Sequence, residues 1–241
     1  MIDPKKYTDT VGRLRSFFLA KGYYEVHTQN RLSILAACED PETVASYNYG
    51  GNIWPLPQTG QMWLEYELLS NPSAEGFFCV STSYRAEPNP VPGRHETIFP
   101  MFEFEMKGGV DDLRDMEIDL CKYLGLPELE IKTYDSWGSK FNVRELDHEH
   151  EKAIGSGMIT DFPEWTSPFW NMARNTGQYV TGTSKKIDVI LGGQETIGSA
   201  ERSTDKKQMR DTFHTISDGQ YAELLYKLFG KERVEKELDE F

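Results

Sequence analysis

The sequence has no apolar run approaching the roughly twenty residues that a membrane-spanning helix requires. Its first residues, MIDPKKYTDTVGRLRSFF, also lack the apolar core of a secretion signal. Cysteine is scarce, and Cys38, Cys79 and Cys121 do not have the paired spacing of zinc sites or redox motifs. These absences exclude a membrane span, disfavour metal–thiolate chemistry and predict a protein of the cytoplasm.

Basic residues are also few, with 26 lysines and arginines against 39 acidic residues and a net charge of -13. Because binding to a nucleic-acid backbone relies on a basic face, this balance disfavours broad affinity for nucleic acids. A local basic pocket can still bind a mononucleotide, since salt screens charges more distant than about 8 Å. Neither a glycine-rich phosphate loop with a following Lys-Ser or Lys-Thr nor a GxGxxG turn is present, which sets aside two common nucleotide-binding folds.

The apolar periodicity predicts an α+β fold. Residues 5–21 have a helical spacing that ends at Gly22, and GFFCVSTSY with MFEFEM predicts two strands joined by an unusually long loop. KKIDVILGG and QETIGSAER predict a second hairpin with a tight turn at Gly192 and Gly193. Residues 127–180 are predicted to be a small helical or loop insertion. Further helices are predicted in QMWLEYELLSN, LRDMEIDLCKYLG, STDKKQMRDTFHTI and GQYAELLYKLFGKERVEKELDEF. This pattern favours an antiparallel or mixed sheet flanked by helices, in a single domain over residues 1–241.

Charged residues cluster around the long loop of the first hairpin. Arg85 and Glu87 lie two residues apart at a strand end, so both side chains can face one side of the sheet. Arg94, His95 and Phe99 follow across the loop. An arginine fork can bind two phosphate oxygens and an aromatic face can stack on a purine, which makes ATP a candidate ligand. Taken alone, such a set is more often an ion-paired sheet edge.

Asp188, Glu195 and Arg202 are spaced by seven residues each along the second hairpin. The tight turn is expected to bring the two carboxylates together, where they repel unless a cation or a proton lies between them. Mg2+ bound by one or two carboxylates and completed by substrate phosphates is the expected use. The alternative is a pair of solvated acids that flank a turn.

Several of these segments resemble the motifs of class II aminoacyl-tRNA synthetases, in the subgroup that charges aspartate, asparagine and lysine. YRAE, GRHETIF and FEFE resemble the second signature motif, and KGYYEVHT is similar to the first motif, at the dimer interface. LPQTGQMWLE resembles the amino-acid-binding turn and helix, and DVILGGQETIGSAER resembles the strands that bind metal and substrate. The resemblance runs in the right order from about residue 10 to 230.

The resemblance implies a role for each matched residue. Arg85 would bind the α-phosphate of ATP, and Phe99 would stack on adenine. Glu87 would contact the adenine side or the amino acid, while the outer phosphates would face Arg94 and His95. Mg2+ would be held by Asp188 and Glu195. The residues expected to contact the amino acid are Gln61, Leu64, Glu103 and Arg202, the last of which would meet the side-chain oxygen.

The sequence departs from the family pattern at several points. Gln29 stands where the first motif usually has proline after EVHT, which puts the usual dimer contact in doubt. Leu64 stands where the aspartate enzymes usually have a lysine, and Glu65 follows as in asparagine-type sequences. The preference therefore leans toward an amide, although Arg202 still suits an acid. Neither an anticodon-binding domain nor the third motif, with its arginine for the γ-phosphate, is expected.

The resemblance therefore implies a ligase that uses ATP and Mg2+ to adenylate aspartate, asparagine or a close analogue, and with the strand predicted at residues 23–27 it suggests a homodimer. The acidic composition and the expected lack of an anticodon domain favour transfer to ammonia or another small amine over a decoded tRNA. One alternative is a minimal tRNA ligase that recognises only the acceptor stem. Another is an inactive paralogue that senses an amino acid or binds a partner. The expected lack of the third motif argues for it, and the retained residues argue against it: Arg85, Glu87, Asp188, Glu195 and Arg202.

Overall fold

The computed structural model describes residues 2–29, 32–34, 41–90, 93, 95–176 and 182–240. The α-helices in this part of the chain are α1 (Pro4–Ala20), α2 (Gln61–Ser70), α3 (Val110–Leu124), α4 (Tyr134–Phe141), α5 (His148–Ile154), α6 (Lys206–Thr215), α7 (Gln220–Phe229) and α8 (Lys231–Leu238). The strands are β1 (Tyr24–Glu25), β2 (Ser46–Tyr49), β3 (Asn52–Pro55), β4 (Gly76–Tyr84), β5 (Ile98–Met106), β6 (Glu130–Thr133), β7 (Ser156–Pro163), β8 (Thr183–Leu191) and β9 (Gln194–Ala200). Within these ranges, no helix is both long and apolar enough to cross a membrane.

The chain divides into two compact units. The first comprises Met1–Lys107 and Arg210–Phe241, and the second comprises Gly108–Met209. In the first unit, β1 pairs in parallel with β4, and β4 pairs antiparallel with β5 along its whole length. A separate antiparallel hairpin joins β2 to β3. The long hairpin of β4 and β5 therefore forms the centre of the first unit's larger sheet.

The two faces of this sheet have different coverings. Helix α1 covers one face through Phe18, which is fully buried and lies 4.8 Å from Phe104 between ring centroids. Because side chains alternate along a strand, Glu103 and Glu105 project from the opposite face of β5. Helix α2 packs on that second face through Leu64. The acidic residues of β5 consequently lie on the same side of the sheet as the beginning of α2.

The second unit contains a four-stranded sheet in the order β6-β7-β8-β9. The pair β6–β7 is parallel and the other two pairs are antiparallel, with a bulge between Thr160 and Phe162. Helix α4 packs against this sheet through Trp137, in a buried cluster with Ile159 and Ile190. Helix α3 also contacts β8 and β9. Both faces of β8 are thus covered within the second unit.

The predicted α+β class with mixed sheets flanked by helices is confirmed, as are the strands of both predicted hairpins. The segment 127–180, predicted to be a small helical or loop insertion, contains the helices α4 and α5 but also the strands β6 and β7, which were not predicted. The sequence of β7, SGMITDFP, mixes glycine, acid and proline and does not alternate, which hid the strand. The prediction of one final helix is also wrong. The structure has two helices there, α7 and α8, separated by Gly230 at φ 88° and ψ 133°. The β2–β3 hairpin was not predicted.

Candidate active site

The long hairpin of the first unit places an arginine beside an aromatic ring. Arg85, the first residue after β4, donates its backbone N–H to the carbonyl oxygen of Thr97 at 2.9 Å. The pairing with the opposite strand therefore continues past the end of β4. The guanidinium carbon of Arg85 lies 5.5 Å from the centroid of the Phe99 ring. Because a cation is attracted to the face of an aromatic ring, this contact orients the guanidinium.

The side chain of Arg85 has a hydrogen-bond donor available for a ligand. The side chain is half-buried, and its Nε is buried without a hydrogen-bond partner in the described ranges. A buried donor without an acceptor costs free energy, so an anionic ligand at this point would relieve that cost. Glu87 is half-buried two residues further on, and His95 is exposed. Arg94 lies outside the described residues, so its contact with the outer phosphates stays a prediction.

Glu103 on β5 is a buried hydrogen-bond acceptor for the turn before α2. Its carboxylate accepts from the backbone N–H of Gly60 at 2.8 Å and from the hydroxyls of Thr59 and Ser81. Burial and the charge of Glu103 raise the pKa of the Cys79 thiol. A Cβ at position 60 would lie 2.9 Å from Cys79 Sγ, so the turn has room only for glycine there. Glu103 and Gly60 together fix the path of the chain into α2.

Gln61 begins α2 and is held at both its backbone and its side chain. Its N–H donates to Thr59 Oγ1 at 3.0 Å, and its side-chain amide donates to Glu105. The structure therefore brings the predicted residues Gln61 and Glu103 to one region of the sheet. Leu64, one turn later, is 0 % exposed and packs in a core cluster with Ala74, Phe77 and Cys79. Its contact with an amino acid stays a prediction.

The second unit brings together the two carboxylates that the seven-residue spacing pointed to. Asp188 pairs with Gly198 across β8 and β9, and the register shifts between Val189 and Ile190. Glycine at position 198 leaves the carboxylates room, because a Cβ there would lie 2.6 Å from Glu195 Oε1 and 3.6 Å from Asp188 Oδ1. The expectation that the tight turn places these two side chains near each other is confirmed.

The two oxygens of Asp188 have different environments. Oδ2 accepts from Lys186 Nζ at 2.8 Å, whereas Oδ1 is buried with no hydrogen-bond partner among the described residues. Burial raises the pKa of Asp188 to about 7; the Lys186 charge opposes this shift, and the Glu195 charge adds to it. Near neutral pH the Asp188–Glu195 pair is therefore prone to take up a proton or a cation.

The Asp188–Glu195 pair fits a magnesium ion in its chemistry. Mg2+ takes oxygen ligands, and one or two carboxylates with substrate phosphates are a common set. Asp188 Oδ1 lacks a partner within the described structure, and it shares with Glu195 Oε1 the space left by the missing side chain of Gly198. No group of three or more His, Cys, Asp or Glu side chains in the described ranges is arranged to hold a metal ion. Substrate phosphates and water are the ligands that commonly complete such a magnesium site.

Arg202 lies just beyond β9 and is oriented by a buried amide. Its backbone forms an isolated bridge with Met172, and its Nη1 donates to Asn171 Oδ1 at 3.4 Å. Asn171 is 0 % exposed, and its backbone carbonyl oxygen accepts from the backbone N–H of Ser203 at 2.7 Å. The guanidinium of Arg202 is thus tied to a segment 31 residues earlier in the chain.

Four polar neighbours of the predicted residues were not predicted: Thr59, Glu105, Asn171 and Lys186. Glu105 and Lys186 each lie two residues from a predicted acid on the same strand, and this period of two could have identified them. Thr59 lies within the quoted LPQTG turn. The contact of Asn171 with Arg202 joins segments 31 residues apart, and only the fold brings the two together.

Helix α3 buries a further carboxylate in the second unit. Glu117 is 0 % exposed, and neither carboxylate oxygen makes a hydrogen bond of ordinary geometry within the described residues. Burial raises the pKa of Glu117 from 4.5 to about 8, the hydroxyl of Ser199 opposes the shift, and the charge of Asp188 adds to it. Glu117 is therefore mostly protonated at neutral pH.

Solved structures show what this fold is similar to. Asparaginyl-tRNA synthetase from Pyrococcus horikoshii, in complex with asparaginyl-adenylate, has a TM-score of 0.76 at 17% identity, covering 95% of this chain and 57% of that chain. Asparaginyl-tRNA synthetase from Entamoeba histolytica has a TM-score of 0.72 at 17% identity, covering 95% and 61%. A putative aspartyl-tRNA synthetase from Leishmania major Friedlin has a TM-score of 0.71 at 14% identity, covering 95% and 56%. The chain thus spans about three fifths of the length of these proteins.

Sequence comparison gives the family directly. No curated protein sequence matches the chain. The sequence profile of the family described as tRNA synthetases class II (D, K and N) matches residues 5–231. This match covers nearly the whole chain and agrees with the folds of the structures above. The chain belongs to the class II tRNA synthetase family of the D, K and N type.

Proposed function

We propose that the chain uses ATP to activate asparagine, aspartate or a close analogue as an aminoacyl-adenylate. The observation that carries the proposal is the first hairpin, where Arg85 lies 5.5 Å from Phe99 and β5 adds the carboxylates of Glu103 and Glu105. A guanidinium fork, a flat ring and carboxylates are the groups that recognise phosphate, purine and an ammonium group. The Pyrococcus horikoshii structure of similar fold contains asparaginyl-adenylate, which supports this reaction class.

Adenylation joins a carboxylate oxygen of the amino acid to the α-phosphorus of ATP. The bond from that phosphorus to the bridging oxygen breaks, and pyrophosphate leaves. In our proposal Arg85 binds the α-phosphate and stabilises its charge, and its unpartnered Nε supports this role among the described residues. Phe99 stacks on adenine, and Glu87 binds at the adenine side or at the amino acid. Such a reaction depends on positioning and charge stabilisation rather than on a protein nucleophile.

The remaining ATP contacts and the metal follow from the same proposal. His95 and Arg94 face the outer phosphates. Asp188 and Glu195 hold Mg2+, which neutralises phosphate charge when it is bound. The unpartnered Asp188 Oδ1 and the space beside Gly198 support this role in the described part of the second unit.

The amino acid is recognised at its backbone and at its side chain. Gln61 and Glu103 bind the backbone groups, and the hydrogen bonds that hold Gln61 at the start of α2 support a fixed position for it. Arg202 binds the side-chain oxygen, and its contact with the buried Asn171 supports a defined orientation. Leu64 contributes no cation, which favours the amide of asparagine over the carboxylate of aspartate.

The acyl group goes to ammonia or another small amine rather than to a decoded tRNA. The support for this choice is charge, since a net charge of -13 opposes binding to a polyanion. A minimal tRNA ligase is the competing function, and the family match favours it. The two functions differ in the acceptor alone, so the activation test below applies to both.

We also propose that the chain forms a homodimer through the region of the first motif. The short strand β1 has only β4 as a partner in the described sheet, and Tyr24 on it is 62 % exposed. Twofold pairing is the commonest assembly of soluble proteins. Sedimentation should show a dimer at micromolar concentration, and an active species of only 27.7 kDa would contradict this proposal.

The direct test of the proposed function is amino-acid-dependent exchange of pyrophosphate into ATP, measured with each of the twenty amino acids. We expect exchange with asparagine, weaker exchange with aspartate, and exchange slowed by roughly a hundredfold or more in the Arg85→Ala variant. Ammonia, small amines and tRNA are then added one at a time to identify the acceptor. A folded chain that supports no exchange with any amino acid would refute the activation chemistry.

A further inference from the structure

Lys186 lies on the same face of β8 as Asp188, two residues before it. Its Nζ donates to Asp188 Oδ2 at 2.8 Å and lies 4.1 Å from the centroid of the Phe162 ring. The Lys186 side chain is 24% exposed, and that of Asp188 is 8% exposed. Because water screens these charges poorly, the attraction between them is stronger than in a surface ion pair.

This lysine changes what the Asp188–Glu195 pair offers to a metal ion. Asp188 Oδ2 is already bonded to an ammonium, so the oxygens left for an incoming cation are Asp188 Oδ1 and those of Glu195. The two carboxylates and the ammonium together have one net negative charge instead of two. A divalent cation therefore meets a weaker attraction and the repulsion of a nearby positive charge.

We propose that Lys186 is a built-in counter-ion that restrains divalent-cation binding by the Asp188–Glu195 pair. The pair binds a metal ion alone only weakly, and it binds tightly when the phosphates of a nucleotide supply further negative charge and oxygen ligands. Metal binding is thereby coupled to the presence of the nucleotide. This inference rests on the proposed function, in which Asp188 and Glu195 hold Mg2+.

The test measures the binding of Mn2+ alone to the purified full chain, at pH 8, from the electron paramagnetic resonance signal of the unbound ion. Lys186→Met removes the ammonium and keeps much of the side-chain length. We expect this variant to bind Mn2+ about tenfold more tightly than the unaltered chain, because the loss of one hydrogen-bonded charge leaves both Asp188 oxygens to the metal. Lys186→Arg keeps the positive charge and should bind Mn2+ as the unaltered chain does.

Lys185→Met is the matched control. Lys185 is the preceding residue on the same strand, and its ammonium pairs with Glu201 at 2.6 Å. Its removal changes the net charge of the chain by the same amount, so a long-range effect would tighten Mn2+ binding in both variants. We expect no tightening with Lys185→Met. Asp188→Asn combined with Lys186→Met should abolish the gain, which shows that the ion binds at the pair.

Three results would overturn the inference: Mn2+ binding that is unchanged or weaker in folded Lys186→Met, equal tightening in Lys185→Met, and a gain that survives Asp188→Asn. Thermal melting checks that each variant is folded, and Lys186→Gln replaces Lys186→Met if the latter is not. Pyrophosphate exchange by the unaltered chain separates this inference from the proposed function. Tighter Mn2+ binding without exchange would refute activation alone, and exchange with unchanged Mn2+ binding would refute the role of Lys186 alone.

Discussion

The two units of the chain each bury a carboxylate on a strand, and the two carboxylates differ in their partners. Glu103 and Asp188 are both 6% exposed. Glu103 accepts from a backbone N–H and two hydroxyls. Asp188 accepts from Lys186 through Oδ2, and its Oδ1 has no hydrogen-bond partner among the described residues. Burial alone therefore does not distinguish the roles of these two acids.

The difference lies in how the cost of burial is offset. For Glu103 this cost is offset by hydrogen bonds, since it accepts from a backbone N–H and a hydroxyl of the turn before α2 and from the hydroxyl of Ser81. An acid that lacks such donors is costly to bury unless a proton or a cation joins it. We infer that Glu103, besides its proposed contact with the amino acid, fixes the shape of the turn, and that Asp188 acts chiefly through what it binds.

The strongest test of this contrast is the stability of Glu103→Ala against Asp188→Asn. Removal of Glu103 leaves Gly60 N–H and two hydroxyls without their acceptor, and each buried unsatisfied group costs about 1–3 kcal/mol. We expect Glu103→Ala to lower the free energy of unfolding by about 4 kcal/mol and Asp188→Asn to change it by about 1 kcal/mol or less. Urea unfolding measures both. Equal losses of unfolding free energy in the two variants would show that the two buried acids do not differ in their contribution to stability.

The next largest effect is expected from Arg85→Ala. If Arg85 binds the α-phosphate, the loss of its charged hydrogen bonds should raise the activation free energy by about 3 kcal/mol. The exchange rate should then fall roughly a hundredfold or more. Stability should change little, since the Nε of Arg85 has no hydrogen-bond partner in the described ranges. Arg114→Ala, which removes a half-buried arginine paired with Asp111 at 2.7 Å, is the control. Unchanged ATP affinity and exchange in Arg85→Ala would place Arg85 outside the site.

The pH dependence of stability tests the buried acid Glu117. Its pKa is raised by burial from 4.5 to about 8, so the folded chain binds the proton more strongly than the unfolded chain does. The contribution of Glu117 to stability is therefore full below about pH 4.5 and is lost as the pH rises through 8, by at most about 1.4 kcal/mol per pH unit. Glu117→Gln cannot ionise, so its stability relative to the unaltered chain should increase between pH 5 and pH 8. Parallel pH profiles for the two proteins would contradict this account.

A smaller effect is expected from Leu64→Lys on the choice of substrate. A lysine at this position would supply a cation for a substrate carboxylate, shifting preference toward aspartate by about tenfold for each 1.4 kcal/mol gained. Leu64 is fully buried, so the variant also loses stability, and exchange must be measured on folded protein. Leu64→Met keeps an apolar side chain of similar volume and serves as the control. An unchanged ratio of asparagine to aspartate activation would show that position 64 does not select the substrate.

Much of this arrangement follows from local sequence patterns. Periodicity located the strands of both predicted hairpins, and the turn at Gly192 and Gly193 predicted the approach of Asp188 to Glu195. The contact of Asn171 with Arg202 had no such signal, because it joins segments 31 residues apart. Strand β7 escaped prediction because its pairing with β6 and β8, rather than its own alternation, makes it a strand. Contacts between segments that are distant in the sequence therefore determine these two features, and hydrophobic periodicity alone cannot predict them.

The chain is proposed to form an aminoacyl-adenylate, and the sharpest experiment on this chemistry traps that intermediate. The chain is incubated with ATP, Mg2+, asparagine and hydroxylamine, a small amine that attacks an activated acyl group. AMP and asparaginyl hydroxamate are then quantified by mass spectrometry. We predict that the two products form in equal amounts and that Arg85→Ala lowers the rate of formation of both by roughly a hundredfold or more. Folded chain that yields no AMP and no hydroxamate with asparagine, aspartate or any other amino acid would contradict the claim.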